Sequence, residues 1–340
     1  MNKVKPSIAK KFIEKCLVNK LPVFIKSSPG CGKSSLIRDL AEEFNLKLID
    51  HRLSTSDITD LNGLPKFENN KATFVPFDIF PLSDWRLPEG KEGWLLFLDE
   101  FNSASKAVQA ASYKLILDRC IGQHKLHDRC LIVCAGNLDT DKAITNTLST
   151  AMMSRLVHIE MEPDLEDFIN VANAKGYDSR IVAYLSMFND ELCNFNPEKH
   201  TETFNCPRTW EFTSKLIKDS PVDESMVNLL QGVISGESAV KFCTFCSTLD
   251  DLTTPEEIVN NPMLAKISDS KNCQYATISA LIQYKDLNKH LKDICTYVNR
   301  FNDRSLRVMF FRAIVHNDVT VMLDSDFMAS VRDIIKFIKD

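Results

Sequence analysis

No stretch of this chain stays apolar for long. The longest runs, such as residues 94–98, span only a few positions, whereas a membrane helix needs about 18 or more. An excess of positive charge is also missing. Lys and Arg number 41 against 46 Asp and Glu, a net charge of −5. That excludes a chain devoted to coating nucleic acid and leaves room only for a local basic groove. The first residues, Met1 to Pro6, carry charge with no apolar core behind them, unlike a secretory leader. The expectation is a cytoplasmic protein with no membrane span. Internal repeats and low-complexity tracts are absent as well.

What is present is ordinary globular material: 340 residues, 44% hydrophobic and 26% charged. At about 150 residues per domain, two domains are expected. The eleven cysteines are best taken as reduced thiols, mostly small core residues. Cys243 and Cys246 have the spacing of a redox or zinc pair, but Cys206 and Cys273 are isolated and supply no second pair. His124, His127 and Cys130 recur every three residues near a turn, a set equally incomplete for a metal.

The first half alternates strand-like and helix-like segments, the mark of an α/β domain. Helical faces are expected at 7–19, 34–44 and 106–119. Strands are expected at 23–25, 46–52, 94–98, 131–135 and 157–161. Residues 57–85 are irregular and rich in Pro, Asn and Phe. A hairpin fits there, with arms at 66–68 and 72–75 joined near Asn69 and Asn70. After Pro163 no buried strand appears. Helical periodicity runs through 165–174, 179–194, 208–218, 226–234, 238–247 and the stretch from 273 onward. The domain reading is a core at 1–162, a helical lid at 163–235 and a helical C-terminal region at 236–340.

Residues Ser27-Ser-Pro-Gly-Cys-Gly-Lys-Ser34 follow a strand and precede a helix. They match the phosphate-loop pattern G-x-x-x-x-G-K-[ST] except at Ser27, which stands where the first Gly is expected. Such a loop must turn its backbone N–H groups inward on a phosphate. Gly30 and Gly32 permit that, and the helix N-terminus adds partial positive charge. Ser28, Pro29, Gly30, Cys31, Gly32, Lys33, Ser34 and Ser35 are the candidate nucleotide-binding residues. Lys33 is the candidate for the β and γ phosphates, and the Ser34 hydroxyl for Mg²⁺.

About 65 residues on, the apolar strand Leu95-Leu-Phe-Leu ends in Asp99-Glu100. The strand delivers Asp99 to its tip, where a carboxylate can hold Mg²⁺. Glu100 should point to the other face, placed to orient a water for attack on a γ-phosphate. Asn137, at the end of a neighbouring strand, could bond that water or the phosphate; alone it would be a turn residue. Arg155, between a helix end and a strand, could be presented to a neighbouring subunit's nucleotide as an arginine finger. Arg208 follows Pro207 at a helix start. A cation is locally unfavourable there, which calls for a partner such as a phosphate or a carboxylate.

Together and in this order, these residues resemble an AAA+ ATPase, most of all the MoxR-like group. The resemblance rests on the loop at 27–34, on Asp99-Glu-Phe-Asn102, on the acidic–Arg pair Asp118-Arg119, on Asn137, on Arg155 and on Pro207-Arg208. It covers roughly residues 5–235. It implies a five-stranded parallel sheet with a helical lid, ATP and Mg²⁺ as ligands, and homo-oligomeric rings, usually hexamers, with ATP between neighbours. It also implies chaperone-like remodelling of a protein client, often with a von Willebrand factor A-type partner. Residues 57–80 resemble the clade's insertion, and 123–129 resemble its hairpin before the sensor Asn. Ser103 stands where that group often has Arg.

Mg²⁺-dependent ATP hydrolysis coupled to work on a protein partner is therefore the expected function. Asp99 and Ser34 would organise the metal, Lys33 neutralise charge, Glu100 orient water, Asn137 sense the γ-phosphate, Arg155 complete the neighbour's site and Arg208 couple lid to nucleotide. A DNA-acting member of the superfamily, such as a clamp loader, helicase loader or restriction-type motor, is the first alternative, and the acidic charge disfavours it. A nucleotide-binding scaffold without turnover is the second, and an intact Glu100 and Arg155 disfavour it.

Overall fold

The computed structural model describes residues 2–68, 71–141, 146–198, 203–249 and 252–338. The chain folds into two compact units. The first holds residues 1–163 with 196–198, and the second holds 164–195 and 199–340. Among the described residues no helix is long and apolar enough to cross a membrane.

The first unit opens with α1 (Pro6–Val18), β1 (Val23–Lys26), α2 (Lys33–Glu43), β2 (Leu46–Arg52) and α3 (Ile58–Asn62). A hairpin follows, β3 (Leu64–Glu68) and β4 (Lys71–Val75), then β5 (Gly93–Asp99) and α4 (Lys106–Tyr113). A second, very short hairpin pairs β6 (Cys120–Ile121) with β7 (His124–Lys125). Then come β8 (Cys130–Gly136), α5 (Thr150–Met153) and β9 (Val157–Glu160). Five of the strands form one sheet in the order β2-β5-β8-β1-β9, every pairing parallel. This is the five-stranded parallel sheet that the resemblance implies.

Strand β5 is buried at all seven positions, as expected of a central parallel strand covered on both faces. Its side chains alternate between two cores. Leu95 and Phe97 join Val23, Ile25, Val133 and Ala135 against Ile13, Leu17, Leu36 and Leu40 of α1 and α2. Trp94, Leu96 and Leu98 join Phe24, Ile132 and Cys134 against Phe101, Val108, Leu115 and Ile116. At about 25 cal/mol per Å² of apolar surface removed from water, each such side chain contributes roughly 1.5–3 kcal/mol.

Two segments depart from the sequence expectation. The helix expected over 106–119 is α-helical only to Tyr113. It widens into a π turn at Lys114–Asp118, and Arg119 turns left-handed at φ 54°. The Arg119 guanidinium then donates to the carbonyls of His127 (2.9 Å) and Cys130 (2.6 Å), so the chain leaves the helix to enter β6. In the second unit the helix expected over 179–194 stops at Met187. Phe188 packs on Tyr184, and the Glu191 carbonyl is taken by the Trp210 indole N–H (2.9 Å) and the Asn205 amide (2.9 Å).

The hairpin arms lie where the alternation places them, with Phe67 paired to Ala72. The expected joint at Asn69 and Asn70 lies outside the described residues. Leu64, Phe67, Phe74 and Val75 are exposed, Phe67 at 79%, whereas Phe80 is buried edge-on to His51. The base of this hairpin is tied to the smaller one, where the His124 ring bonds the Phe74 carbonyl at 2.9 Å.

The second unit is helical. Helices Ser179–Met187, Pro207–Ile217 and Gly236–Ser247 enclose Tyr184, Trp210, Phe242 and Phe245. A second cluster gathers Tyr297, Phe310, Phe311 and Phe327 from Leu291–Val298, Arg304–Asn317 and Ser325–Ser330. Helix Lys271–Ile282 serves both, placing Ala276 in the first and Ile278 and Leu281 in the second.

Candidate functional site

Parallel strands bring their C-terminal ends to one edge of a sheet. Here that edge carries three of the candidate segments. β1 runs into the loop 27–32, β5 ends at Asp99, and β8 is followed by Asn137. Ligands of open α/β sheets bind at this edge.

The loop has the backbone that a phosphate-binding turn requires. Left-handed backbone falls on Gly30 (φ 74°) and Gly32 (φ 89°), and not on Ser27, which explains why Ser is accepted at the first position. Gly32 precedes α2, and a Cβ there would meet nothing within 4 Å, so the approach to that backbone is open. Lys33 and Ser34 begin the helix and Ser35 follows on its first turn. Cys31 is buried, its thiol 3.9 Å from the Pro29 carbonyl.

Lys33 is buried to 9% exposure. Its amine donates to the Ser27 carbonyl (2.8 Å), the Ser27 hydroxyl (3.0 Å), the Ser28 carbonyl (3.3 Å) and Asn137 Oδ1 (3.4 Å). These four acceptors are oxygens of the loop and of Asn137, and the charge of Asp141 lies close enough to interact with the amine. Beside it the Ser28 hydroxyl donates to Asp141 Oδ1 at 3.2 Å. Asp141 is buried, and burial pushes its carboxyl above the ordinary carboxylate value, against the pull of Ser28 and of Lys33.

The pleat of β5 decides where its two acids go. Asp99 shares the face of Leu95 and Phe97, toward α2, and the Ser34 hydroxyl donates to its Oδ2 at 3.3 Å. A hydroxyl and a carboxylate side by side are hard oxygen ligands of the kind Mg²⁺ takes, so these two residues fit that ion. Asp50, on β2, is raised first by burial and then by the charge of Asp99.

Glu100 does not continue the strand. It turns left-handed at φ 53°. Its carboxylate accepts a short hydrogen bond from the Ser54 hydroxyl, with the Arg52 guanidinium 3.6 Å away. The expectation that it lies opposite Asp99 on an extended strand is corrected: it is swung toward the end of β2. Neither Ser54 nor Arg52 stands out in the sequence. Their relevance follows from β2 lying beside β5, with Arg52 in register with Asp99.

Arg155 lies elsewhere. It precedes β9 and donates to the Ala151 carbonyl at 3.0 Å. Val157 pairs with Val23, so about five residues of strand, roughly 17 Å, separate Arg155 from its own loop. It lines a cleft of about 390 Å³ together with Lys20, Asp118 and Arg119. Arg208 belongs to the second unit, exposed on the first turn of helix Pro207–Ile217.

The sheet and its loaded edge decide the fold. It is a P-loop NTPase fold, with the five-stranded parallel sheet and following helices that the AAA+ resemblance implies. No family model and no curated protein matches this chain. Among solved structures, a Thermotoga maritima RuvB variant is 15% identical over 72% of this chain and 70% of its own, with a TM-score of 0.38. The replication initiator DnaA, bound to AMPPCP and single-stranded DNA, is 16% identical over 99% of this chain and 96% of its own, with a TM-score of 0.33. Likenesses so remote add nothing to what sheet order and loop already show.

The cysteines and histidines weighed for metal do other things. Cys130 is buried in β8, and burial pushes its thiol up to about 12. Cys246 is pushed up to about 12 for the same reason. His127 packs on Trp94. Among the described residues no group of three or more metal-ligating side chains forms.

Proposed function

We propose that this chain is a Mg²⁺-dependent ATPase of the MoxR-like kind, working in a homo-oligomeric ring to remodel a protein partner. The observation that carries the reading is the convergence, at one sheet edge, of a glycine-turned loop, the Lys33 amine, the Ser34–Asp99 pair and Asn137.

Lys33 would leave its present acceptors and hold the β and γ phosphates, with the N–H groups of 28 and 30–35 around them. Ser34 and Asp99 would hold Mg²⁺, which supplies charge neutralisation on the phosphate oxygens. Glu100 would leave Ser54 and Arg52 and accept a hydrogen bond from the attacking water, taking its proton as the new P–O bond forms and ADP departs. Asn137 would fix that water or the γ-phosphate. Arg155, too far from its own loop, would serve a neighbour's across the ring, and Arg208 would report nucleotide state to the helical unit. The exposed Leu64, Phe67, Phe74 and Val75 support a client- or partner-contacting role for the hairpin, and a von Willebrand factor A-type protein is the partner class the MoxR resemblance suggests.

The test is turnover. Glu100→Gln should bind ATP and hydrolyse it slower by on the order of 10² to 10⁴, while Lys33→Ala should lose ATP binding. Normal hydrolysis by Glu100→Gln would overturn the reading. Assays with and without DNA separate protein-directed from DNA-directed work: stimulation by DNA alone would exclude the remodelling role.

A further inference from the structure

Asn102 holds an unusual position for a polar side chain. It is 2% exposed, three residues past the end of β5, between the acidic strand tip and β8. Burying an amide this deeply costs free energy unless its groups are bonded. Both ends of this one are, and to the same residue. Its Nδ2 donates to the Asn137 carbonyl at 2.8 Å, and its Oδ1 accepts from the Asn137 backbone N–H at 3.1 Å. The side chain thus closes a two-bond ring with the peptide groups of Asn137, as a neighbouring strand would. The close approach has a steric condition. A Cβ on Gly136 would lie 2.2 Å from Asn102 Oδ1, so position 136 must be Gly for this amide to sit there. The Asn102 carbonyl in turn accepts from Asn146 N–H at 2.6 Å, fastening the segment from its other side.

We infer that Asn102 is a positioning residue for Asn137. It fixes the backbone from which the Asn137 side chain reaches Lys33, and so sets where that amide meets the γ-phosphate or the water. Asn102 lies two residues after Glu100, so the same short turn carries the water-orienting carboxylate and the clamp on its polar partner. Movement of Glu100 away from Ser54 would then be felt at Asn137 through one rigid segment. The inference rests on the ATPase reading and adds a residue to which that reading gives no role.

A residue that positions the chemistry without touching phosphate should change turnover and spare binding. Asn102→Ala should bind a fluorescent ATP analogue within about twofold of the wild type. Its kcat should fall by roughly tenfold to a hundredfold, the range that a misplacement of about 1 Å costs. Asn137→Ala should fall by a similar factor, and the double variant should fall no further than either single one, since both remove one unit. Asn102→Asp keeps the volume and the acceptor but sets a carboxyl oxygen in place of the NH2 that donates to the Asn137 carbonyl, and carries a charge when ionised, so it breaks the clamp without a cavity and is a second test beside Asn102→Ala. It should show the same split between kcat and binding. Multiplicative losses in the double variant, or full turnover by Asn102→Asp, would overturn the inference. Glu100→Gln, assayed in parallel, separates the two levels. If Glu100→Gln is inactive while the Asn102 variants turn over normally, only the inference falls. If Glu100→Gln turns over normally, the ATPase reading falls and takes the inference with it.

Discussion

At the scale of single residues, Ser27 is the departure that matters most. A glycine at the start of the loop would give the backbone freedom, yet Ser27 needs no left-handed angle. Its hydroxyl has taken a task instead: it accepts from Lys33 at 3.0 Å and donates to the Ser28 carbonyl at 3.1 Å, fully buried. Any ligand that recruits Lys33 must compete with this acceptor. Ser27→Gly should therefore tighten ATP binding by roughly twofold to fivefold while costing about 1 kcal/mol of stability, through the lost hydrogen bonds and the added freedom of the unfolded chain. A titration and a thermal melt check both halves, and weaker ATP binding in the variant would sink the argument.

At the scale of elements, how much the sequence shows depends on how local the cause is. β2 occupies Leu46–Arg52 and the helix after Pro163 occupies Leu165–Ala174, both as their periodicity places them. Both hairpin arms are where alternation and turn residues put them. What escapes notice is set by distant partners. The π turn at Lys114–Asp118 has no residue signature of its own and follows from where Arg119 finds carbonyls. Glu100 meets Ser54 because β2 neighbours β5, and strand order is not written in either segment. The loop and the acidic tip were legible since each packs its chemistry into a few consecutive residues, while Asn102 showed only as part of a motif.

One helix gives a pH prediction. Asp303 caps Arg304–Asn317, accepting from Ser305 N–H at 2.9 Å, and its carboxylate pairs with Lys271. The Lys271 bond comes first among the causes that hold Asp303 below the ordinary carboxylate value of 3.8. A depressed folded value means the contribution is present above 3.8 and is lost as pH falls through the lower value. Asp303→Asn keeps a cap and loses the charge. It should melt roughly 1–2 °C below the wild type at neutral pH, a modest effect because the pair is partly exposed. The gap should close as the pH falls below 3.8 and through the lowered folded value. Melting curves across that range check it, and a gap that widens in acid would refute the assignment.

At the scale of the whole molecule, the sheet puts Lys33 and Arg155 at opposite ends of adjacent parallel strands. One subunit cannot bring them together, so in the proposed ring Arg155 would act on a neighbour's site. Arg155→Ala should then retain ATP affinity and lose turnover. Mixed with Glu100→Gln protein, it should recover part of the activity, since some interfaces pair an intact Glu100 with an intact Arg155. Rings shown to be mixed yet inactive at every ratio would mean that Arg155 works within its own subunit.

The π turn after α4 bears on how this surface tolerates change in length. A wide turn absorbs one residue more than an α-helix of the same rise. Deleting a single residue between Lys114 and Asp118 would return the segment to an α-helix of nearly the same rise, without the rotation of about 100° that the same deletion causes in an unbroken helix. The face that carries Asp118 and Arg119, which share a cleft with Lys20 and Arg155, would keep its direction. The wide turn thus lets this surface change by one residue in length without re-aiming the face beside it.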